Sequence, residues 1–154
     1  MPLRQLQQVA KGWQLRGEKI VFTNGCFDLL HPGHIEVLLA AANQGNRLVV
    51  GLNSDASVRQ LKGAGRPVMK EQERAVLLAA QTFVDAVTLF EETTPLHLIQ
   101  SLCPDVLVKG GDYRESDIVG GDWVKAYHGT VVIVPLLEGY ATTSLVQRVK
   151  NLPG

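Results

Sequence analysis

Five short runs rich in branched apolar residues punctuate this chain: Ile20–Thr23, Leu48–Leu52, Ala86–Phe90, Val106–Lys109 and Thr130–Val134. Four of them are dense in Val, Ile or Leu with little polar alternation, the pattern of strands covered on both faces. Between them lie segments with helical signals. These are Gly33–Asn43, closed by Gly45; Ser54–Leu61, with Ser54 as N-cap; Lys70–Gln81; Pro95–Leu102, with Thr94 as N-cap and Pro95 at its first position; Trp123–Tyr127; and Thr143–Asn151. Parallel strands need long crossovers, and helices supply them. The order therefore predicts an α/β fold: a Rossmann-like, doubly wound parallel sheet of about five strands with helices on both faces.

A length of 154 residues suits one domain, read here as residues 1–154 with a helical lead-in over 1–17. Fifteen basic residues balance fifteen acidic ones, so no overall field recruits nucleic acid or a membrane surface, and any anion site must be built locally. The first residues contain no apolar signal region, and no apolar run approaches the ~20 residues of a membrane span. Cys26 and Cys103 form neither a metal-type pair nor a disulfide framework, which suits a reducing compartment. The expectation is a soluble cytoplasmic protein.

In open α/β sheets ligands bind beyond the carboxyl ends of the strands, and the conspicuous polar residues gather there: Asn24–His34, Asn53–Asp55, Lys109–Asp112 and Tyr140–Ser144. Among them His31-Pro-Gly-His34 stands between the first strand and the first crossover helix. Pro32 presets φ, Gly33 permits close approach of the backbone, and two His three apart point to one side of the helix start. The free amides and dipole at such a start attract anions, phosphate above all. No P-loop spacing and no G-x-G-x-x-G after the first strand is present, so a P-loop or dinucleotide site is not expected. A zinc site on His31, His34 and Cys26 stays open on residue type, although no fourth ligand is evident and no metal is assigned.

Thr23-Asn-Gly-Cys-Phe-Asp28 followed by His31-Pro-Gly-His34 resembles the G-x-F-D and H-x-G-H signature of the cytidylyltransferase-like nucleotidyltransferase superfamily. Further segments extend the resemblance over nearly the whole chain after residue 15: Asn53-Ser-Asp55 with Lys62, Arg74, Lys109-Gly-Gly-Asp112-Tyr113, and Ala141-Thr-Thr-Ser144. Within the superfamily the chain is similar to the D-β-D-heptose 1-phosphate adenylyltransferase branch, whose members stand alone or form part of a bifunctional enzyme with a sugar kinase. The resemblance implies transfer of AMP from ATP to heptose 1-phosphate, giving ADP-heptose for lipopolysaccharide core, with Mg²⁺ accompanying ATP. It implies catalytic roles for His31, His34 and Lys62. Nucleotide contacts fall to Thr23, Asn24, Gly25, Cys26, Phe27, Gly33, His34, Lys109, Gly110, Asp112, Thr142, Thr143 and Ser144. Substrate contacts fall to Asp28, Asn53, Asp55, Lys62 and Arg74.

One departure from the family pattern is Ala141, where many relatives carry a hydroxyl. A homodimer and a separate heptose kinase are partners compatible with the resemblance. Two other readings compete: a cytidylyltransferase using CTP and glycerol 3-phosphate or another alcohol phosphate, and a non-catalytic nucleotide-binding module. Asp85, beside a strand, reads as structural.

Overall fold

A computed structural model describes residues 1–152. The chain opens with α1 (Leu3–Leu15) and then alternates strand and helix: β1 (Ile20–Gly25), α2 (Pro32–Ala42), β2 (Arg47–Asn53), α3 (Asp55–Lys62), α4 (Glu71–Ala79), β3 (Ala86–Phe90). It continues through α5 (Leu96–Leu102), β4 (Val106–Gly110), a 3₁₀ turn at Glu115–Asp117, α6 (Gly121–Ala126), β5 (Thr130–Val134) and α7 (Thr142–Lys150). All strand pairs are parallel, in the order β3-β2-β1-β4-β5. The chain winds outward from β1 to β3, then returns to place β4 against the other side of β1. This switch opens a crevice above the carboxyl ends of β1 and β4.

Alternate residues of each strand feed two apolar layers. Ile20 and Phe22, with Val49, Ala86, Phe90 and Leu107, meet Leu6, Ala10 and Trp13 of α1 and Leu98, Ile99 and Leu102 of α5. Val21, with Leu48, Val50, Leu52, Val106 and Val108, meets Leu38 and Ala41 of α2 and Leu78 of α4. Full burial of each such side chain is worth about 1.5–3 kcal/mol, so strands apolar on both faces are what a two-sided sheet requires. The lead-in is a working part of the core, since α1 covers one face through Leu6, Ala10 and Trp13.

The edge of the sheet opposite the crevice is tied by charge. Asp85 accepts from the Leu48 N–H and from Arg47, both at 2.8 Å, as its structural reading expected. Asp105 accepts from the Ile20 N–H at 2.7 Å.

Most elements shift by one or two residues at their ends, and three of the end signals act differently from expectation. Thr94 does not cap α5: Pro95 occupies the cap and its carbonyl accepts from the Ile99 N–H, so the helix begins at Leu96. The last crossover helix starts two residues earlier than Trp123, at Gly121. Gly45 does not close α2 by a left-handed turn, for Asn43 caps that helix. A Cβ on Gly45 would lie 2.7 Å from Val21 Cγ2 and 2.8 Å from the Lys19 carbonyl, so glycine serves close approach there rather than backbone freedom.

Candidate active site

A cleft of about 640 Å³ lies at the carboxyl edge, a volume typical of sites for nucleotide-sized ligands. Thr23, Asn24 and Gly25 of β1 and Lys109 and Gly110 of β4 line it, as the strand-order switch demands. Cys26, Phe27, Asp28, His31, Gly33 and His34 come from the turn into α2, Asn53 and Lys62 from the β2–α3 unit, and Thr142 and Thr143 from the start of α7.

The turn after β1 is backbone-strained, with Phe27 at φ 45° and Leu29 at φ 52°, a region that costs non-glycine residues about 1–2 kcal/mol each. The reward is placement. His31 caps α2, and its carbonyl accepts from the N–H groups of His34 and Ile35 at 2.9 and 3.2 Å. Pro32 has no N–H, so the Gly33 amide is left as the uncommitted donor of this first turn. The His31 and His34 rings stack with centroids 3.8 Å apart and planes inclined by 21°. Phe27 meets His34 edge-on at 5.4 Å, and the Tyr140 ring lies 6.4 Å from His31. A Cβ on Gly33 would sit 3.0 Å from both His31 Cε1 and Tyr140 Cβ, so glycine here makes room for the imidazole itself.

Burial lowers the basicity of both rings. For His34 burial is the largest cause, aided by His31 and Lys62 and opposed by Asp28, and the pKa falls to about 4. Both imidazoles are therefore neutral near pH 7 and present one N–H each. Nδ1 of each ring is buried without a hydrogen-bond partner in the protein, which leaves Nε2 as the ring nitrogen placed to meet a ligand.

A ring pKa lowered from 6.5 to about 4 means that the unfolded chain binds a proton the folded chain does not between those values. Stability is therefore expected to fall as pH drops from about 6.5 to about 4, and then to level off for this group. Titration of the ring ¹⁵N shifts in the free protein checks this, with His34 midway near pH 4; a midpoint near 6.5 would contradict the burial argument.

The N-terminus of α7 faces the same cleft. Its cap, Ala141, offers no side-chain acceptor, and the Thr142 hydroxyl donates outward to the Asp28 carbonyl at 2.9 Å. The first amides of α7 thus have neither an intrahelical nor a capping partner, the arrangement that receives an anion. The missing hydroxyl at Ala141, a departure from the family pattern in the sequence, removes a competitor for those amides. Lys62, exposed at the end of α3, and half-buried Lys109 bring positive charge. Lys109 Nζ donates to Asn24 Oδ1 at 3.4 Å, and burial pulls its pKa below the usual lysine value. Burial pushes the Cys26 thiol up, against the influence of Lys62 and Arg74, so this side chain is no thiolate nucleophile.

Several assigned contacts are redirected. Arg74 is 1% exposed and is consumed by the protein: its guanidinium donates to the carbonyls of Cys26, Asn53 and Met69 and to Asp55 Oδ1, at 2.6–3.1 Å. It and Asp55 form a buried brace behind the cleft, and neither lines it. Asp28 lines the cleft, yet it is 2% exposed and both carboxylate oxygens accept from the loop before α4. Asn53 gives its amide to Ser57 Oγ at 2.9 Å. Asp112 and Ser144 are exposed and lie outside the lining.

The structure also adds residues that sequence reading did not assign: Thr93, Thr94 and Pro95 after β3, Tyr113, Asp117, Ile118 and Val119 after β4, and Leu136, Leu137 and Tyr140 after β5. All follow strand ends, which is the signal that locates them. Polar residues border the β3–β2 side of the cleft, and aromatic and aliphatic residues the β4–β5 side.

Among the described residues no group of three or more His, Cys, Asp or Glu is disposed to hold a metal ion. His31 and His34 stack face to face and so do not converge on one. No helix is long and apolar enough to cross a membrane.

A parallel sheet with a two-histidine helix start at its strand-order switch, and two helix N-termini without side-chain caps, defines an α/β domain with a cleft built to suit an anion. The chain belongs to the cytidylyltransferase-like family, whose model matches residues 22–145. It is 53% identical over 153 residues to the bifunctional protein HldE of Gluconobacter oxydans, covering 99% of this chain and 32% of that one. It is 57% identical over 143 residues to the bifunctional protein HldE of Magnetococcus marinus, covering 93% and 29% respectively. The chain thus spans about a third of the length of these relatives. In structure it resembles the lipopolysaccharide core biosynthesis protein of Thermoplasma volcanium, with TM-score 0.65, 27% identity, and 81% and 100% of the two chains covered. Pantoate-beta-alanine ligase of Francisella tularensis shares the fold at TM-score 0.68 and 17% identity, covering 99% of this chain and 72% of that one.

Proposed function

We propose that this chain transfers AMP from ATP to D-glycero-β-D-manno-heptose 1-phosphate, giving ADP-heptose and pyrophosphate. The observation that carries the reading is the stacked, neutral His31–His34 pair at the α2 start, facing the uncapped α7 N-terminus across one cleft. The similarity to the bifunctional HldE proteins and to a lipopolysaccharide core biosynthesis protein supports the choice of acceptor.

The chemistry suits these residues. A sugar phosphate carries nearly two negative charges above its second pKa of about 6, so its oxygen attacks the α-phosphorus without a general base. One P–O bond forms, the bond to the bridging oxygen breaks, and pyrophosphate leaves with the electron pair; no proton has to move. What remains for the protein is positioning and charge stabilisation. His31 and His34 donate Nε2–H to the α-phosphate and the departing β-phosphate. The α7 amides, Thr142, Thr143 and Lys62 hold the polyphosphate, while Lys109 and the apolar residues after β4 and β5 border the nucleoside.

Mg²⁺ fits this site as a passenger on the triphosphate, since it keeps most of its waters and needs no all-protein cage. Asp117 is the lining carboxylate with an oxygen to offer it, since its Oδ1 accepts from Ser116 at 3.2 Å and its Oδ2 does not, whereas both oxygens of Asp28 are committed. Bound there, the ion would neutralise the leaving pyrophosphate. An ATP-consuming step belongs in the cytoplasm. A sugar kinase is the partner activity this reading expects to supply the acceptor, and the longer relatives are named as bifunctional.

The test is pyrophosphate release with ATP, CTP, GTP and UTP against a panel of sugar and polyol phosphates. Release only with ATP and heptose 1-phosphate is the expected result. Release only with CTP and glycerol 3-phosphate would replace the adenylyl reading by the cytidylyl one, and ATP binding without release would leave a nucleotide-binding module.

A further inference from the structure

We infer that Asp28 is a positioning residue that ties the glycine loop following Lys62 and the N-terminus of α7 to the imidazole turn, so that three parts of the phosphate cradle move as one; this rests on the nucleotidyl-transfer reading above.

Asp28 makes contacts in two directions. Its Oδ2 accepts from the Val68 N–H at 2.9 Å and from Arg66 Nη1 at 3.2 Å, and its Oδ1 accepts from the Met69 N–H at 3.0 Å. Its backbone carbonyl accepts from Thr142 Oγ1 at 2.9 Å. A carboxylate buried beside a polyphosphate site would repel its ligand if it were free. With every oxygen committed to the protein and Arg66 opposite, it acts as a fastener instead.

Each tied segment has little else to hold it. After Lys62 the chain passes Gly63, at φ 93°, and Gly65, both with open space where a Cβ would lie. Lys62 is the last residue of α3, and beyond it the Arg66 N–H to Gly63 carbonyl bond at 3.2 Å and the Asp28 ties at Arg66, Val68 and Met69 hold the segment, so the chain that bounds the Lys62 side of the cleft is fixed by a short glycine tether anchored at Asp28. No residue of α7 is buried, and among the described residues its Thr142 hydroxyl makes the side-chain hydrogen bond that reaches the body of the domain. The turn that carries Asp28 lies between the two left-handed residues Phe27 and Leu29, a conformation that needs external bonds to persist. Arg74 supplies the matching tie from behind, donating to the carbonyls of Cys26 and Met69.

The experiment combines hydrogen exchange on the ligand-free protein with kinetics of Asp28→Asn, alone and with Lys62→Ala. Asparagine keeps the shape but cannot accept from three donors. The expected result is exchange at Val68 and Met69 accelerated at least about tenfold. Turnover should fall on the order of 10–100-fold, as for other misplacements within a site. In the Lys62→Ala background the same change should cost less than about threefold further, because the group it positions is gone. Unchanged exchange in the 63–69 loop, or an equal cost in both backgrounds, would overturn the inference. Should Asp28→Asn fail to fold, Arg66→Met removes one arm only: faster exchange with a non-additive loss supports the tie, and an additive loss overturns it. Absence of pyrophosphate release by the unaltered protein would remove the nucleotidyl-transfer reading instead, leaving exchange to decide the tie.

Discussion

Replacing His34 by alanine is expected to lower turnover by on the order of 10²–10³ while leaving the fold intact, the usual cost of losing one preorganised donor to a developing negative charge. Two features make the loss specific. The ring is neutral at working pH, so it contributes a directed N–H rather than a diffuse charge, and its partner ring stacks on it at 3.8 Å. Removing it also releases the support that holds His31, so His31→Ala and the double variant should fall well short of additivity. The fold should survive, because the apolar side chains at Val37, Leu38 and Ala41, not the histidines, seat α2 on the sheet. Single-turnover pyrophosphate release, with circular dichroism and thermal melting on the same samples, checks this. A folded variant with near-normal release would remove the imidazole pair from the chemistry.

The second large effect concerns stability. Arg74→Ala should destabilise the domain by roughly 3–5 kcal/mol, the range for taking one partner from a buried, hydrogen-bonded ion pair. That corresponds to a melting shift on the order of 10 °C in a domain of this size. The guanidinium is 1% exposed and satisfies three backbone carbonyls and Asp55 at once. Alanine leaves those acceptors without their donor, among them the fully buried bond to the Asn53 carbonyl. Arg74→Lys should recover only part, since an ammonium cannot span four acceptors in a plane. Chemical denaturation of the three proteins measures the effect. A change below about 1 kcal/mol for Arg74→Ala would show that water replaces the brace, since surface positions behave in that way.

These two residues also show where sequence reading succeeds and where it stops. His31 and His34 could be paired from their spacing, because three residues on a helix start dictate a shared side whatever else the chain does. The strands were equally legible, since a doubly covered sheet demands continuous apolar runs at Val49–Leu52 or Val106–Val108. Arg74 was placed on the correct helix, but the pattern of a helix cannot say whether a long cation reaches a ligand or a carbonyl. Its role was decided by Cys26, Asn53 and Met69, residues 48, 21 and 5 positions away. Asp28 makes the same point: a carboxylate beside a phosphate motif reads as a substrate contact, and only the fold shows that, while it lines the cleft, its oxygens are bonded to the loop at 66–69.

What the sequence determined alone is local and periodic: the strand–helix alternation, the α2 start with its two imidazoles, the glycines, and hence an α/β domain whose motifs resemble the cytidylyltransferase-like family, to which it belongs. What the tertiary structure decided is which polar groups remain free. Hydrogen bonds across the fold commit Asp28, Asp55 and Arg74 to the frame, and leave His31, His34, Lys62 and the α7 amides to the cleft. The physical reason is that burial drives most polar groups to find a partner, and the partner is set by three-dimensional proximity that no spacing in the chain encodes.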